Sequence, residues 1–245
     1  MRAIVMFHSV DESGSALSVS EAQLTSLVRA VRDAGHEILP LSQLLEGLGG
    51  DHAVAFTFDD GFTSVFERAA PLLRELAVPA TLFLTTGYVG KNNRWPTQPE
   101  GAPTFDLMRW DQIDRLHRDG WSIEAHGVTH ADLRVLNNVD MGRELVQPIE
   151  TIEMKLGVRP RIFAYPYGYF DQRVVDLVRK HYCWALTTQL KTLAAGIPDP
   201  YRVPRLDVHC FRSPRVHRGF GERWFLAYIE IRRQLRELRT YLAKP

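Results

Sequence analysis

Cysteine is nearly absent: the 245 residues include only Cys183 and Cys210. Two isolated thiols can form neither a disulfide framework nor a thiolate zinc cluster, and each reads as an ordinary buried side chain. A surplus of charge is missing too, since 30 basic and 29 acidic residues leave a formal +1. That balance excludes the broad basic footprint of a nucleic-acid binder and gives no general attraction to an anionic membrane. Long apolar runs are also lacking. No stretch reaches membrane-spanning length, and the opening "MRAIVMFHSV" carries one Arg and a short β-branched run, unlike a signal peptide. As it stands the sequence reads as cytoplasmic. With neither internal repeat nor low-complexity tract, what remains is a charge-balanced chain of a length that one large α/β domain commonly uses.

Short apolar runs rich in Val, Ile and Phe alternate with amphipathic segments. The runs are 3–8, 53–58, 80–86, 121–126, 161–166, 183–188 and 201–208. Between them, Ser18 and Glu21 have capping-box spacing ahead of Leu24, Leu27, Val28 and Val31, with Gly35 as a stop. Apolar residues at helical spacing recur in 65–76, 113–116, 145–156 and 174–178. Strand and helix repeated about seven times calls for a parallel sheet with right-handed crossovers, and a complete or incomplete barrel is the economical closure. The longest irregular stretch, "GKNNRWPTQPEGAPTF" (90–105), reads as a loop on the active face.

Working groups of such a barrel sit at the C-terminal ends of its strands. The first run ends at His8, the second at Asp59 and Asp60, the fourth at His126 with His130 four residues on, and the fifth at Pro166 and Tyr167. Carboxylate and imidazole donors converging on one face suit zinc or a similar divalent ion, and i, i+4 histidines can reach one metal from a single turn. One Asp with two His leaves positions open, in the style of a catalytic centre. The adjacent carboxylates of "TFDDG" repel each other unless their tasks differ. With Asp60 on a metal its charge is neutralised, and Asp59 stays free to take a proton from water held there. Singly the motifs have plainer readings, because acids before Gly make turns or caps and HxxxH pairs occur in surfaces and cores. Their joint occurrence at strand ends favours the site. His8 can bind substrate, donate a proton or simply hydrogen-bond, while Tyr165, Tyr167 and Trp110 suit sugar faces and interiors alike.

In this order and spacing, "TFDDG", "HGVTH" and "FAYPYG" resemble the polysaccharide deacetylases, carbohydrate esterase family four, over roughly residues 1–210. "RWDQIDRLHRDGWSIEAHGVTHADL" and "LFLTTGYVG" support the resemblance. It implies a distorted (β/α)7 barrel, Asp59 as catalytic base, Asp60, His126 and His130 as ligands of a divalent metal, most expectedly zinc, and hydrolysis of N-acetyl, less often O-acetyl, groups on amino sugars. It also implies an oxyanion stabilised by the metal and the backbone N–H of Tyr167.

Departures from the pattern shape further expectations. Gly127 stands where the family usually has Ser or Thr, so some support of that loop is lost. The frequent Arg-x-Pro-Tyr reads Ala164-Tyr165-Pro166-Tyr167 here, so the arginine that would orient the base is missing at that place. In "YRVPRLDV", Arg202 and Arg205 lie three apart and point to opposite faces of an extended strand. Arg205 is expected to face inward and contact Asp59, since it follows Pro204 deeper in the strand and "RxPR" accompanies the "FAYPYG" variant in similar sequences. Pairing with Asp207, or a plain surface charge, is the alternative. The family's late Leu-x-His is weakly matched by "LDVH", which leaves His209 and His8 as the candidates for general acid.

The barrel is expected to occupy 1–212 and a helical extension 213–245. There Trp224, Tyr228, Ile231, Leu235, Leu238 and Leu242 form a heptad stripe, expected to pack on the chain's own barrel. A homodimer helix and a basic helix in peripheral contact with a membrane are the alternatives. The function expected is metal-dependent deacetylation of an N-acylated amino-sugar glycan or glycoconjugate, or deformylation of a lipid-linked amino sugar by the same site. A metal-independent hydrolase of a small cyclic amide is disfavoured by Asp60, His126 and His130, and a non-catalytic glycan-binding module by Asp59.

Overall fold

Each of the seven apolar runs forms a strand in the computed structural model, which describes residues 1–193 and 197–242. These are β1 (Arg2–Phe7), β2 (Ala53–Phe58), β3 (Ala80–Leu84), β4 (Ser122–Ala125), β5 (Ile162–Ala164), β6 (Trp184–Leu190) and β7 (Val203–Asp207). All pair in parallel in chain order, and β1 joins both β2 and β7, so the sheet closes into a seven-stranded (β/α) barrel. Every residue of β2 and β3 is buried, the near-continuous apolar pattern of parallel strands covered on both faces. The barrel is uneven. β1 and β2 pair along their full length, from Arg2 opposite Ala53 to Phe7 opposite Phe58, whereas β4 and β5 share only the Ala125–Phe163 register pair. The β6–β7 register shifts between Val203 and Arg205, around Pro204, which has no N–H to give the ladder.

The first helix, Glu21–Asp33, starts later than the Ser18 and Glu21 spacing suggests. Its cap is Ser20: the Ser20 hydroxyl accepts from the Gln23 N–H at 3.1 Å and the Gln23 side chain accepts from the Ser20 N–H at 2.9 Å. Ser18 is instead paired with Ser9 in a small two-stranded sheet. Both positions carry the capping spacing, and strand pairing decides between them. The expected segment 65–76 becomes a π-turn and helix over Val65–Ala69 and Ala70–Glu75 capped by Leu76, and the others lie within Trp110–Arg118, Asn138–Leu156 and Gln172–Val178.

The extension contains the helix Arg223–Leu242, but of the predicted stripe only Tyr228 belongs to its packing face. Phe225 and Ile229 are buried and Tyr228 packs beside them, its hydroxyl donating to the Cys210 carbonyl at 2.9 Å. Trp224, Ile231, Leu235 and Leu238 are exposed, and the Leu242 side chain lies outside the described residues. Phe225 sets this register by packing against Phe220 and Phe211, with ring centroids 5.1 and 5.6 Å away. One residue is about 100° of helix, so docking Phe225 and Ile229 turns the rest of the stripe outward and leaves Tyr228 at its edge. No described helix is long and apolar enough to cross a membrane.

Phe225→Ala should therefore lower unfolding free energy by about 3–5 kcal/mol, while Leu235→Ser should change it by no more than about 0.5 kcal/mol, read by urea denaturation. The opposite order would make the stripe the packing face after all.

Candidate active site

At the C-terminal mouth of the barrel lies a cavity of about 690 Å³, lined by His8, Asp59, Asp60, His126, His130 and Tyr167. The TFDDG turn delivers its two acids to different neighbours. The Asp59 N–H donates to the Phe7 carbonyl at 2.9 Å, continuing the β1–β2 ladder by one residue. Asp60 then turns into the left-handed region, with φ 74°. Gly61 follows at φ 91°, a backbone conformation that side-chain-bearing residues rarely adopt, so the turn favours glycine. The consequence is that consecutive carboxylates point to separate partners.

Asp59 meets Arg205. The Arg205 Nη1 and Nη2 donate to the two Asp59 carboxylate oxygens, each at 2.7 Å, in a bidentate fork. Arg205 is fully buried and also donates from Nε to the Thr187 carbonyl at 3.0 Å and from Nη1 to the Thr57 hydroxyl at 3.3 Å. Burial opposes ionisation of Asp59, but the Arg205 charge, with His126 and His8 beyond it, outweighs this and holds the carboxyl below the usual range. Arg202 faces the other way, against Asp199 and Gln172. Asp207 does not pair with Arg205; its carboxylate accepts from the His209 N–H at 3.0 Å and faces Arg236 at 3.5 Å.

Asp60 meets the histidines. Its Oδ1 stands 3.3 Å from His130 Nε2 and 3.5 Å from His126 Nε2, and the three residues are the one cluster among those described whose donor atoms could share a metal ion. The His126 Nδ1 faces the Ala164 carbonyl at 2.8 Å, so that nitrogen is the one that carries hydrogen and Nε2 offers its lone pair to the cluster. Burial, against the pull of Asp60, brings His130 down to about 3, leaving a neutral imidazole. For His126 burial is outweighed by Asp60 and Asp59, which raise it. Asp60 itself is pushed well below the carboxylate range, the histidines overcoming its burial. Its Oδ1 is buried without a hydrogen-bond partner, the state of a donor oxygen that fits a cation.

The remaining wall is aromatic. Trp95 stacks on the His130 ring at 4.3 Å, Tyr167 meets the same ring edge-on at 4.4 Å, and the Trp95 indole N–H donates to the Tyr167 hydroxyl at 3.1 Å. Tyr167 has φ 58° and His130 φ 55°, so three of the four non-glycine residues with positive φ among the described ones surround this cleft. Strain of this kind persists only where the surroundings enforce it.

His8 lines the cleft. His209 does not: it sits on the turn Val208–Phe211 beyond β7, beside Asp207, Arg212, Arg232 and Arg236. Trp110 packs against the hydrophobic core, and Tyr165 is buried with its hydroxyl donating to the Tyr201 carbonyl at 3.1 Å. Three participants went unforeseen. Trp95 is the single tryptophan of the irregular 90–105 loop, which was its available signal. Arg236 comes from the last helix to the cleft wall, and Glu144 supports the histidine loop from beneath it; neither carries a local motif.

Residues 47–183, more than half of the chain, match the profile of the polysaccharide deacetylase family. The chain belongs to that family, and with it to the amide-bond hydrolases. It is 25% identical over 206 residues to the poly-beta-1,6-N-acetyl-D-glucosamine N-deacetylase of Staphylococcus epidermidis, a match covering 77% of this chain and 67% of that one. Its fold is similar to the Streptococcus pyogenes deacetylase PplD in complex with acetate, with TM-score 0.74, 19% identity, and 87% and 95% of the two chains covered. IcaB from Ammonifex degensii is also similar, at TM-score 0.70 and 20% identity over 93% and 96% of the chains.

Because Asp59 is depressed by its buried partner, the pair stabilises the fold fully above the ordinary carboxylate pKa of about 4 and loses that contribution as pH falls through the depressed value. Arg205→Met leaves an unpaired buried carboxylate and should cost roughly 3–5 kcal/mol at neutral pH, shrinking as acid protonates Asp59. Arg202→Met should stay within about 0.5 kcal/mol. A pH-independent deficit for Arg205→Met would remove the electrostatic account.

Proposed function

We propose that the protein is a metal-dependent N-deacetylase acting on an N-acetylated amino sugar within a glycan or glycoconjugate. The observation that carries this reading is the division of the two adjacent acids: Asp59 is engaged by Arg205, and Asp60 Oδ1 faces two imidazole Nε2 atoms. Asp60, His126 and His130 would hold the ion, and one carboxylate with two imidazoles suits zinc. When bound, the ion supplies Lewis-acid polarisation of the acyl carbonyl and lowers the pKa of water beside it.

The chain's own residues do the rest. Asp59, kept ionised and aimed by the Arg205 fork, accepts a proton from the attacking water. The backbone N–H of Tyr167 donates to the oxyanion that forms on the acyl carbon. His8 returns a proton to the departing amine nitrogen, and its position in the cleft supports it over His209 for this task. Trp95 and Tyr167 give the sugar an amphipathic wall. Similarity to the staphylococcal enzyme, whose name specifies a polymer of N-acetyl-D-glucosamine, supports an acetamido sugar as substrate. A second reading, deacylation of an amino sugar carried on a membrane lipid, draws on the exposed Trp224, Ile231, Leu235 and Leu238 of the helix that sends Arg236 to the cleft.

Chelation should abolish acetate release from N-acetylglucosamine oligomers, and added zinc should restore it. Asp59→Asn should reduce turnover by about 10²–10⁴-fold with metal content intact, whereas Asp60→Asn should lower both. Equal metal loss in the two variants would take the base role from Asp59, and acetate release from metal-free protein would reject the metal.

A further inference from the structure

We propose that Glu144 positions the two metal-binding histidines by clamping the loop between them. This rests on the reading that Asp60, His126 and His130 hold a divalent ion. The loop has only three residues between its ligands, and it is bent: Gly127 has φ 81° and His130 itself φ 55°. Its backbone groups must find partners outside a regular element. The carbonyls are taken from one side, Gly127 by the Thr86 N–H at 3.1 Å and Val128 by the Gly87 N–H at 2.9 Å. The Thr97 hydroxyl donates to the His130 carbonyl at 2.8 Å.

The opposite side of the loop rests on one carboxylate. Oε2 of Glu144 accepts from the Val128 N–H at 2.7 Å and the Thr129 N–H at 3.0 Å, and Oε1 accepts from the Thr129 hydroxyl at 2.6 Å. The two N–H groups can only donate, so the loop requires an acceptor at this point, and the hydroxyl, which can donate or accept, donates to the second carboxylate oxygen. Glu144 is only 6% exposed and stands on the long helix Asn138–Leu156, whose buried Met141, Leu145 and Ile149 anchor it to the barrel. Gly127 belongs to the same device. A Cβ there would lie 2.9 Å from Glu144 Oε2, so the room that a side chain would need is filled by the clamp. The support expected from a Ser or Thr at position 127 comes instead from a residue 17 positions further along the chain, on another element. The hydrogen bonds of Glu144 go to Val128 and Thr129; it acts through the peptide planes that aim the histidine rings.

The test measures zinc affinity of metal-free protein by competition with a chromophoric chelator, with circular dichroism and melting of the metal-free state as the folding control. Glu144→Ala removes every acceptor of the clamp and should weaken zinc about 10- to 100-fold while the metal-free protein stays folded. Glu144→Asp, with the carboxylate withdrawn, should fall between. Thr129→Val removes one contact and should weaken zinc less, and the double variant should bind no worse than Glu144→Ala alone, because both act through one contact. Wild-type zinc affinity in Glu144→Ala, with none in His130→Ala, would overturn the clamp and leave the metal site standing. Should Glu144→Ala fail to fold, wild-type affinity in Thr129→Val overturns it equally. Undiminished zinc binding in His130→Ala would overturn the site on which the clamp depends.

Discussion

Arg205 and Asp59 form an ion pair inside the barrel, and the chemistry at its mouth depends on how that pair is buried. Removing both charges from water costs several kcal/mol per ion, recovered only with excellent geometry and satisfied hydrogen bonds. Both conditions are met: the guanidinium makes a two-pronged contact at 2.7 Å and spends its other donors on the Thr187 carbonyl and the Thr57 hydroxyl. The pair links β2 and β7, which both neighbour β1 in the closed sheet. It thereby holds Asp59 to the barrel interior and leaves Asp60 to the histidines. Two adjacent acids would otherwise compete for one cation.

Around this pair the structure accepts local backbone cost. The left-handed conformations of Asp60, His130 and Tyr167 each run against the steric preference of L-residues. All three lie where the chain must leave a strand and turn a functional group into the cleft. Their supports come from separate elements: the TFDDG turn leans on Gly61, the histidine loop on Glu144, and the Tyr167 turn on Thr97 and Trp95 through its hydroxyl. The 90–105 loop reaches both His130 and Tyr167, so it ties the candidate metal ligands to the aromatic wall.

Much of this was legible because it is written in local pattern. The seven strands are short apolar runs, and a parallel strand buried on both faces needs little more. The convergence of Asp60, His126 and His130 followed from placing motifs at strand ends. Strand alternation said that only one of Arg202 and Arg205 faces inward, and the choice of Arg205 came from its place after Pro204 and from the resemblance of "RxPR" to similar sequences. What escaped was set by tertiary competition. Ser18 and Ser20 both fit a capping box, and pairing with Ser9 took the first. The heptad stripe from Trp224 onward was a real periodicity, yet the aromatic pocket of Phe211 and Phe220 drew in Phe225, a residue outside the stripe. Glu144 and Arg236 are ordinary helix residues in the sequence, and only the packing of their helices brings them to the site.

The division of labour between the two acids is tested most directly by a crystal structure of the zinc-loaded protein with an anomalous difference map at the zinc edge. The account predicts one peak about 2.0–2.2 Å from an Asp60 oxygen and from the Nε2 atoms of His126 and His130, with Asp59 still held by the Arg205 fork and outside the coordination sphere. A peak bonded to Asp59, or an Arg205 turned away from it when the metal is present, would contradict the account.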